Sequence, residues 1–172
     1  MVYLQTVEFT GKVSTDKTGR FSVTCYRGSK YLMVLYDHVS NAIVADPLTS
    51  RSERKLIRAT CVLHSYFSNR GLTPQYQMLD TECPGGLKQF LRNSSVKFQV
   101  VPLHLHRTNA TECAIQTYKD HLVAGLSICD PNFPLRLWDR LVPNATLTLN
   151  LLRPSCLNPK ISTEAQLNGS LN

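Results

Sequence analysis

Gln75-Tyr-Gln-Met-Leu-Asp-Thr-Glu-Cys-Pro-Gly-Gly-Leu-Lys-Gln-Phe-Leu-Arg-Asn-Ser-Ser-Val-Lys-Phe-Gln-Val-Val101 is the stretch on which the fold turns. Its opening residues predict a short strand ending in Asp80; Pro84-Gly85-Gly86 opens a short helix through Phe90 and Leu91, and the apolar run from Val96 to Val101 predicts another strand. Upstream, Ser50-x-x-Glu53 is a capping-box pattern, and Leu56, Ala59, Leu63 and Tyr66/Phe67 recur at helical spacing until Gly71 supplies a stop. That predicts a helix of about five turns. Further upstream, Lys30-Tyr-Leu-Met-Val-Leu-Tyr36 is a nearly continuous apolar run after Arg27-Gly28-Ser29, and Asn41-Ala-Ile-Val-Ala45 follows a polar break, so the two read as a hairpin. A strand through Gly11-Lys-Val-Ser-Thr15 into Asp16, closed by Thr18-Gly19, completes an antiparallel meander. Three strands, helix, strand, helix, strand and further helices make a mixed α/β architecture.

Composition narrows the function classes. A chain of 172 residues is long enough for one well-buried core and too short for two ordinary domains, so residues 1–172 read as a single domain. Nineteen Lys+Arg against 12 Asp+Glu give a formal charge of +7, spread along the chain as befits a surface facing nucleic acid. The six cysteines form no CxxC pair, and no basic region followed by an apolar one opens the chain, so reduced thiols and an intracellular protein are expected. No apolar stretch approaches the roughly 20 residues needed to span a bilayer.

Three carboxylates carry the chemistry. Asp16 and Asp80 are expected to end neighbouring strands and Glu112 to sit in the first turn of a helix, with 31 residues between the last two. This is the layout of a two-metal site for phosphodiester chemistry, because magnesium is a hard ion that takes oxygen ligands and paired ions clamp the attacking and leaving oxygens. Each acid has a competing role. Asp80 suits a turn, Glu112 closes the capping-box pattern Asn109-x-x-Glu112, and Asp16 precedes Gly19 as a turn residue would; Asp37 also follows a strand and competes as the first ligand.

Downstream of Glu112, Ile115, Tyr118, Leu122 and Leu126 form the expected buried stripe of the helix. Lys119, two turns after Glu112, and Arg107, just before the helix, are placed to meet phosphates. His104 and His106 alternate on an extended segment without a Cys or carboxylate partner, which favours phosphate contact or loop packing over zinc. Arg51, Arg54, Lys55 and Arg58 read as a solvated helix face. Leu135, Trp138, Leu141 and Val142 recur at helical intervals within residues 133–150, with Trp138 in the core or a subunit interface.

The text around the acids, Thr15-Asp16-x-Thr-Gly-Arg-Phe21, Leu79-Asp80-Thr81-Glu82 and Val101-Pro-Leu-His-Leu-His-Arg-Thr-Asn-Ala-Thr-Glu112, resembles the integrase catalytic core of LTR retrotransposons and retroviruses. The tail from Trp138 to Gly169, with Leu147-Thr-Leu-Asn150 and Asn158-Pro159, extends the resemblance over roughly residues 10–169. It implies a ribonuclease H-like fold, a mixed five-stranded sheet flanked by helices, with 133–172 as a C-terminal helical extension. It implies Asp16, Asp80 and Glu112 as catalytic residues and metal ligands for two Mg2+ or Mn2+ ions, and Lys119, Arg107, His104 and His106 on the DNA. Element-end and target DNA would be the partners of a homo-oligomer, in the nucleus if the element is eukaryotic. The implied reactions are 3′ processing by water and strand transfer by the resulting 3′ hydroxyl. A catalytically silent nucleic-acid-binding remnant and a host nuclease of the same fold are the alternatives. Thr81 stands where the family often has asparagine, and Leu103, Thr108 and Cys113 stand where proline and basic residues are expected, which weakens phosphate contact. No His pair is followed by a CxxC, so the family's zinc-binding module is expected upstream in a longer polyprotein.

Overall fold

The computed structural model describes residues 11–101 and 109–169. Strands β1 (Lys12–Lys17), β2 (Tyr31–Asp37) and β3 (Ile43–Leu48) form the antiparallel meander; β4 (Tyr76–Asp80) and β5 (Lys97–Val101) join it in parallel, giving one mixed sheet in the order β3-β2-β1-β4-β5. The helices are α1 (Glu53–Ser68), α2 (Gly85–Asn93), α3 (Asn109–Ser127), α4 (Trp138–Leu152) and α5 (Thr163–Leu167). This is the five-stranded, helix-flanked ribonuclease H-like fold that the sequence leads one to expect.

Strand β2 shows why its text is continuously apolar. Met33 and Leu35 face a core shared with Leu56, Ala59, Leu63 and Phe67 of α1 and Leu87 and Leu91 of α2. Leu32 and Val34 face the other core, with Ala114, Tyr118 and Leu122 of α3 and Trp138, Val142 and Leu149 of α4. A strand covered on both faces has no solvent side to keep polar. Each fully buried aliphatic side chain contributes about 1.5–3 kcal/mol relative to exposure.

Several local expectations are corrected. The capping box at Ser50 does not form: Ser52 is the N-cap of α1 and makes no side-chain cap bond, while the Ser50 hydroxyl lies 3.0 Å from that of Ser52. Glu53 is drawn elsewhere, its carboxylate lying against Gly86 at the start of α2, where an added Cβ would meet Oε1 at 1.4 Å. Strand β3 begins at Ile43 rather than Asn41, because Asn41 takes a left-handed turn conformation (φ 69°) and its N–H bonds the Asp37 carbonyl. On α3, Ala114, Tyr118 and Leu122 are buried while Ile115 and Leu126 pack only at the edge of that core. Leu135 lies in a short 3-10 turn and is 56% exposed. The Arg51–Arg58 stretch is not simply solvated. Arg51 donates to the Thr18 carbonyl at 2.7 Å and lies over the Tyr31 ring, and Arg58 pairs with Asp46 and donates to the Pro47 carbonyl.

The helix stop at Gly71 is as expected: Gly71 has φ 74°, and the Leu72 N–H bonds the Phe67 carbonyl at 3.0 Å. Trp138 is core, stacked on Phe21 at 4.7 Å with its indole N–H on the Val23 carbonyl at 2.9 Å. Asn150 fastens α4 to the edge strand β3, its side chain accepting from the Ile43 N–H and donating to the Ile43 carbonyl, each at 3.0 Å. Among the described residues Cys25, Cys61, Cys83, Cys129 and Cys156 form no disulfide, and no helix is long and apolar enough to cross a membrane.

Candidate metal centre at the strand ends

Parallel pairing of β1 with β4 decides what the strand ends bring together. The register Val13↔Gln77 and Ser14↔Met78, continued by two residues, sets Asp16 beside Asp80. Alternation then fixes the face. Val13 and Leu79 point into the α1 core, so Asp16 and Asp80, odd numbers of residues away, point to the opposite face, on which α3 packs against β1 and β2. Glu112 lies in the first turn of α3 and is exposed.

Two side-chain systems hold this corner. Under β1, His64 bonds Gln77 at 2.8 Å and Gln77 donates to the Thr15 hydroxyl at 2.7 Å, a buried chain that ties the two strands together one residue before Asp16 and three before Asp80. Burial holds His64 below its usual pKa despite the Gln77 bond, so it is neutral at pH 7. At the acids themselves, Asp16 Oδ1 accepts from the Lys17 N–H at 2.7 Å, and Asp80 Oδ1 accepts from the Thr81 hydroxyl at 3.1 Å. Lys17, its side chain only 14% exposed, sets its ammonium 3.7 Å from Asp80 and 3.6 Å from Glu82. Burial pushes the Asp16 carboxyl above the ordinary value of 3.8; the Lys17 N–H and ammonium oppose that, the Asp80 charge adds to it, and Arg51 opposes it.

Asp37, the competitor for the first ligand, pairs across from Val13 at the opposite end of β1. Its carboxylate caps the following turn, accepting from the Ser40 N–H at 2.8 Å and the Ser40 hydroxyl at 2.5 Å. It is a turn residue. Glu112 is exposed on its helix turn, and among the described residues no three His, Cys, Asp or Glu side chains form a group able to hold a metal ion. Glu112 is carried by a helix turn into solvent, whereas Asp16 and Asp80 are fixed by neighbouring strands. Lys119 lies half-buried on α3 with no ion pair among the described residues. His104, His106 and Arg107 lie outside the described residues.

The donor set of the pair suits a hard divalent cation: two carboxylates, oxygen only, at the ends of adjacent strands. Asp16 is partly desolvated, so its charge is costly where it stands and a cation beside it would offset that cost. A cavity of about 30 Å³ beneath the strand ends is walled mainly by core side chains, Met33, Leu56, Leu79 and Leu87, with Asp16, Lys17 and Asp80 also lining it, so it belongs to the α1 face and not to the face the acids point to. Lys17 is the residue that sequence reasoning missed. Its place next to Asp16 gave no hint that its ammonium would reach across to Asp80.

This fold is that of the catalytic core domains of retroviral integrases. The catalytic core domain of HTLV-2 integrase, solved in complex with magnesium in a trimeric form, superposes with a TM-score of 0.69 at 21% identity, over 92% of this chain and 96% of that one. The BIV integrase catalytic core domain gives 0.67 at 13% identity, over 94% and 95%. A chain of the simian T-cell lymphotropic virus intasome, in complex with the PP2A regulatory subunit B56 gamma, gives 0.73 at 17% identity over 92% of this chain. Only 54% of that longer chain is spanned, about half its length. At these identities the likeness establishes the fold. No family model matches the sequence, and no curated protein matches it.

Proposed function

We propose that this chain is the catalytic core of an integrase-type polynucleotidyl transferase, which processes 3′ ends of a mobile element's DNA and joins them to target DNA. The observation that carries the reading is the juxtaposition of Asp16 and Asp80 at adjacent parallel strand ends, on the face where α3 presents Glu112 in its first turn. Asp16, Asp80 and Glu112 would hold Mg2+ or Mn2+, in the two-ion arrangement of such sites. When bound, the metal supplies activation of the attacking oxygen and stabilisation of the leaving one. The chain's own residues do the rest. The His64–Gln77–Thr15 chain holds the strands in register, Lys17 orients the Asp80 carboxylate, and Lys119 on α3 is a cation for the backbone of a polymeric substrate.

DNA is the partner that the charge of +7 supports, and phosphate contacts should make binding fall steeply with salt. Self-association is part of the proposal, since the HTLV-2 core occurs in trimeric and dimeric forms. Two observations favour a second reading, a DNA-binding remnant without catalysis: Lys17 already pairs with Asp80, and Glu112 joins no three-acid group among the described residues.

A labelled duplex with an element-like end, incubated with the purified chain and Mg2+ or Mn2+, separates the two. The transferase nicks or joins DNA only with the metal, and Glu112→Gln abolishes this while leaving DNA binding nearly unchanged, because the amide keeps the shape and loses the charge. Salt-sensitive binding with no cleavage supports the remnant; metal-independent cleavage, or full activity in Glu112→Gln, overturns the metal mechanism.

A further inference from the structure

A cation of the chain's own stands among the strand-end acids. Lys17 follows Asp16 on β1, so by strand alternation its side chain leaves towards α1, on the face opposite to that of Asp16. With Leu56 of α1, Leu79 of β4 and Leu87 of α2 it walls the small cavity on that face, and only 14% of the side chain is exposed. A lysine stem covers apolar surface in this way and delivers its head to a polar rim. Here the rim is acidic. The ammonium lies 3.7 Å from Asp80 Oδ2 and 3.6 Å from Glu82 Oε2. Both separations exceed the roughly 2.7–2.9 Å of a charge-assisted hydrogen bond, so charge rather than a fixed bond holds the head between two carboxylates. The same charge reaches Asp16.

The two acids that share Lys17 are not equivalent. Asp80 ends β4 and belongs to the donor pair, whereas Glu82 lies two residues beyond the strand, outside that pair, with 72% of its side chain exposed. A divalent ion at Asp80 carries twice the charge of the ammonium and repels it steeply at short range. Glu82, nearly as close as Asp80, lets the ammonium leave Asp80 without losing a carboxylate. Arg51, the other cation whose charge reaches Asp16, lacks that freedom: its guanidinium is fastened to the Thr18 carbonyl at 2.7 Å and lies over the Tyr31 ring.

We infer that Lys17 is an exchangeable counter-ion built into the metal centre: its ammonium balances Asp80 in the metal-free protein, opposes entry of the divalent ion, and passes to Glu82 when the ion binds. The inference rests on the reading of Asp16 and Asp80 as metal ligands. The probe is Mn2+ itself, titrated into the purified full chain at constant ionic strength, with the free ion measured by electron paramagnetic resonance. Lys17→Met keeps an unbranched stem on the apolar wall and removes the charge; it is expected to tighten Mn2+ binding by roughly tenfold or more, and adding Asp80→Asn to it should abolish binding. Glu82→Gln acts in the opposite sense. It should weaken Mn2+ binding several-fold, because the lysine then has Asp80 alone, and should do much less in the Lys17→Met background, where there is no ammonium to pass on. Equal or weaker Mn2+ binding in Lys17→Met overturns the inference and leaves the metal reading standing. Should Lys17→Met not melt as a folded protein, Glu82→Gln decides: weaker binding supports the exchange, and unchanged or tighter binding overturns it. Mn2+ binding by neither the wild type nor Lys17→Met, or binding that persists in Asp80→Asn, removes the metal reading and this inference with it.

Discussion

Asp16 sits where its charge is least comfortable, and the cost is measurable. Burial raises its pKa above 3.8, so the folded state holds the proton more tightly than the unfolded chain does. Its contribution to stability is therefore fully present below pH 3.8 and is lost as pH rises through the elevated folded value. At pH 7 the ionised carboxylate opposes folding, and Asp16→Asn, which keeps an oxygen for the Lys17 N–H, should melt at a higher temperature than the wild type. The gain should shrink as melts are repeated towards pH 4; an Asn variant that melts lower at pH 7 would contradict this account of the site. Asp80 shows the opposite arrangement, paired with Lys17 at 3.7 Å and with 35% of its side chain exposed. That difference between two neighbouring acids was invisible in the text, because it arises from which face of β1 the next residue occupies.

At the scale of elements, the parts that read directly from the sequence are those whose signal is local. The double-faced apolar run of β2, the 3.6-residue stripe of α1 and its glycine stop needed no partner to be legible. What stayed hidden depends on distant contacts. Glu53 left its own helix start for Gly86, and Asn150 caps the edge strand at Ile43, 107 residues away. Asp16 and Asp80 were legible as strand ends, and their pairing followed once β1 and β4 were parallel; the place of Glu112 was not, since it hangs on the approach to α3. The β1–β4 junction is the most exacting of these contacts. Gly11 has φ 78°, its carbonyl accepts from the Gln75 N–H at 2.9 Å, and an added Cβ would lie 2.8 Å from the Thr73 carbonyl oxygen. Gly11→Ala should therefore destabilise the fold by about 1–3 kcal/mol, lowering Tm by roughly 2–4 °C for each kcal/mol. Unchanged thermal melting would mean that this junction does not set the strand ends.

For the whole molecule, the arrangement separates two surfaces. The strand ends set two carboxylates side by side, oxygen donors suited to a divalent metal. A cavity of about 700 Å³ lies along the β3 edge, away from those two acids. The central claim is that the strand ends form a divalent-metal site, and anomalous diffraction from crystals of the chain soaked in Mn2+ tests it most directly. The account predicts an anomalous peak within bonding distance, about 2.1–2.2 Å, of the Asp16 and Asp80 carboxylates, absent from Asp80→Asn crystals treated alike. Saturating Mn2+ with no peak between these two residues, or a peak that persists in Asp80→Asn, would contradict it.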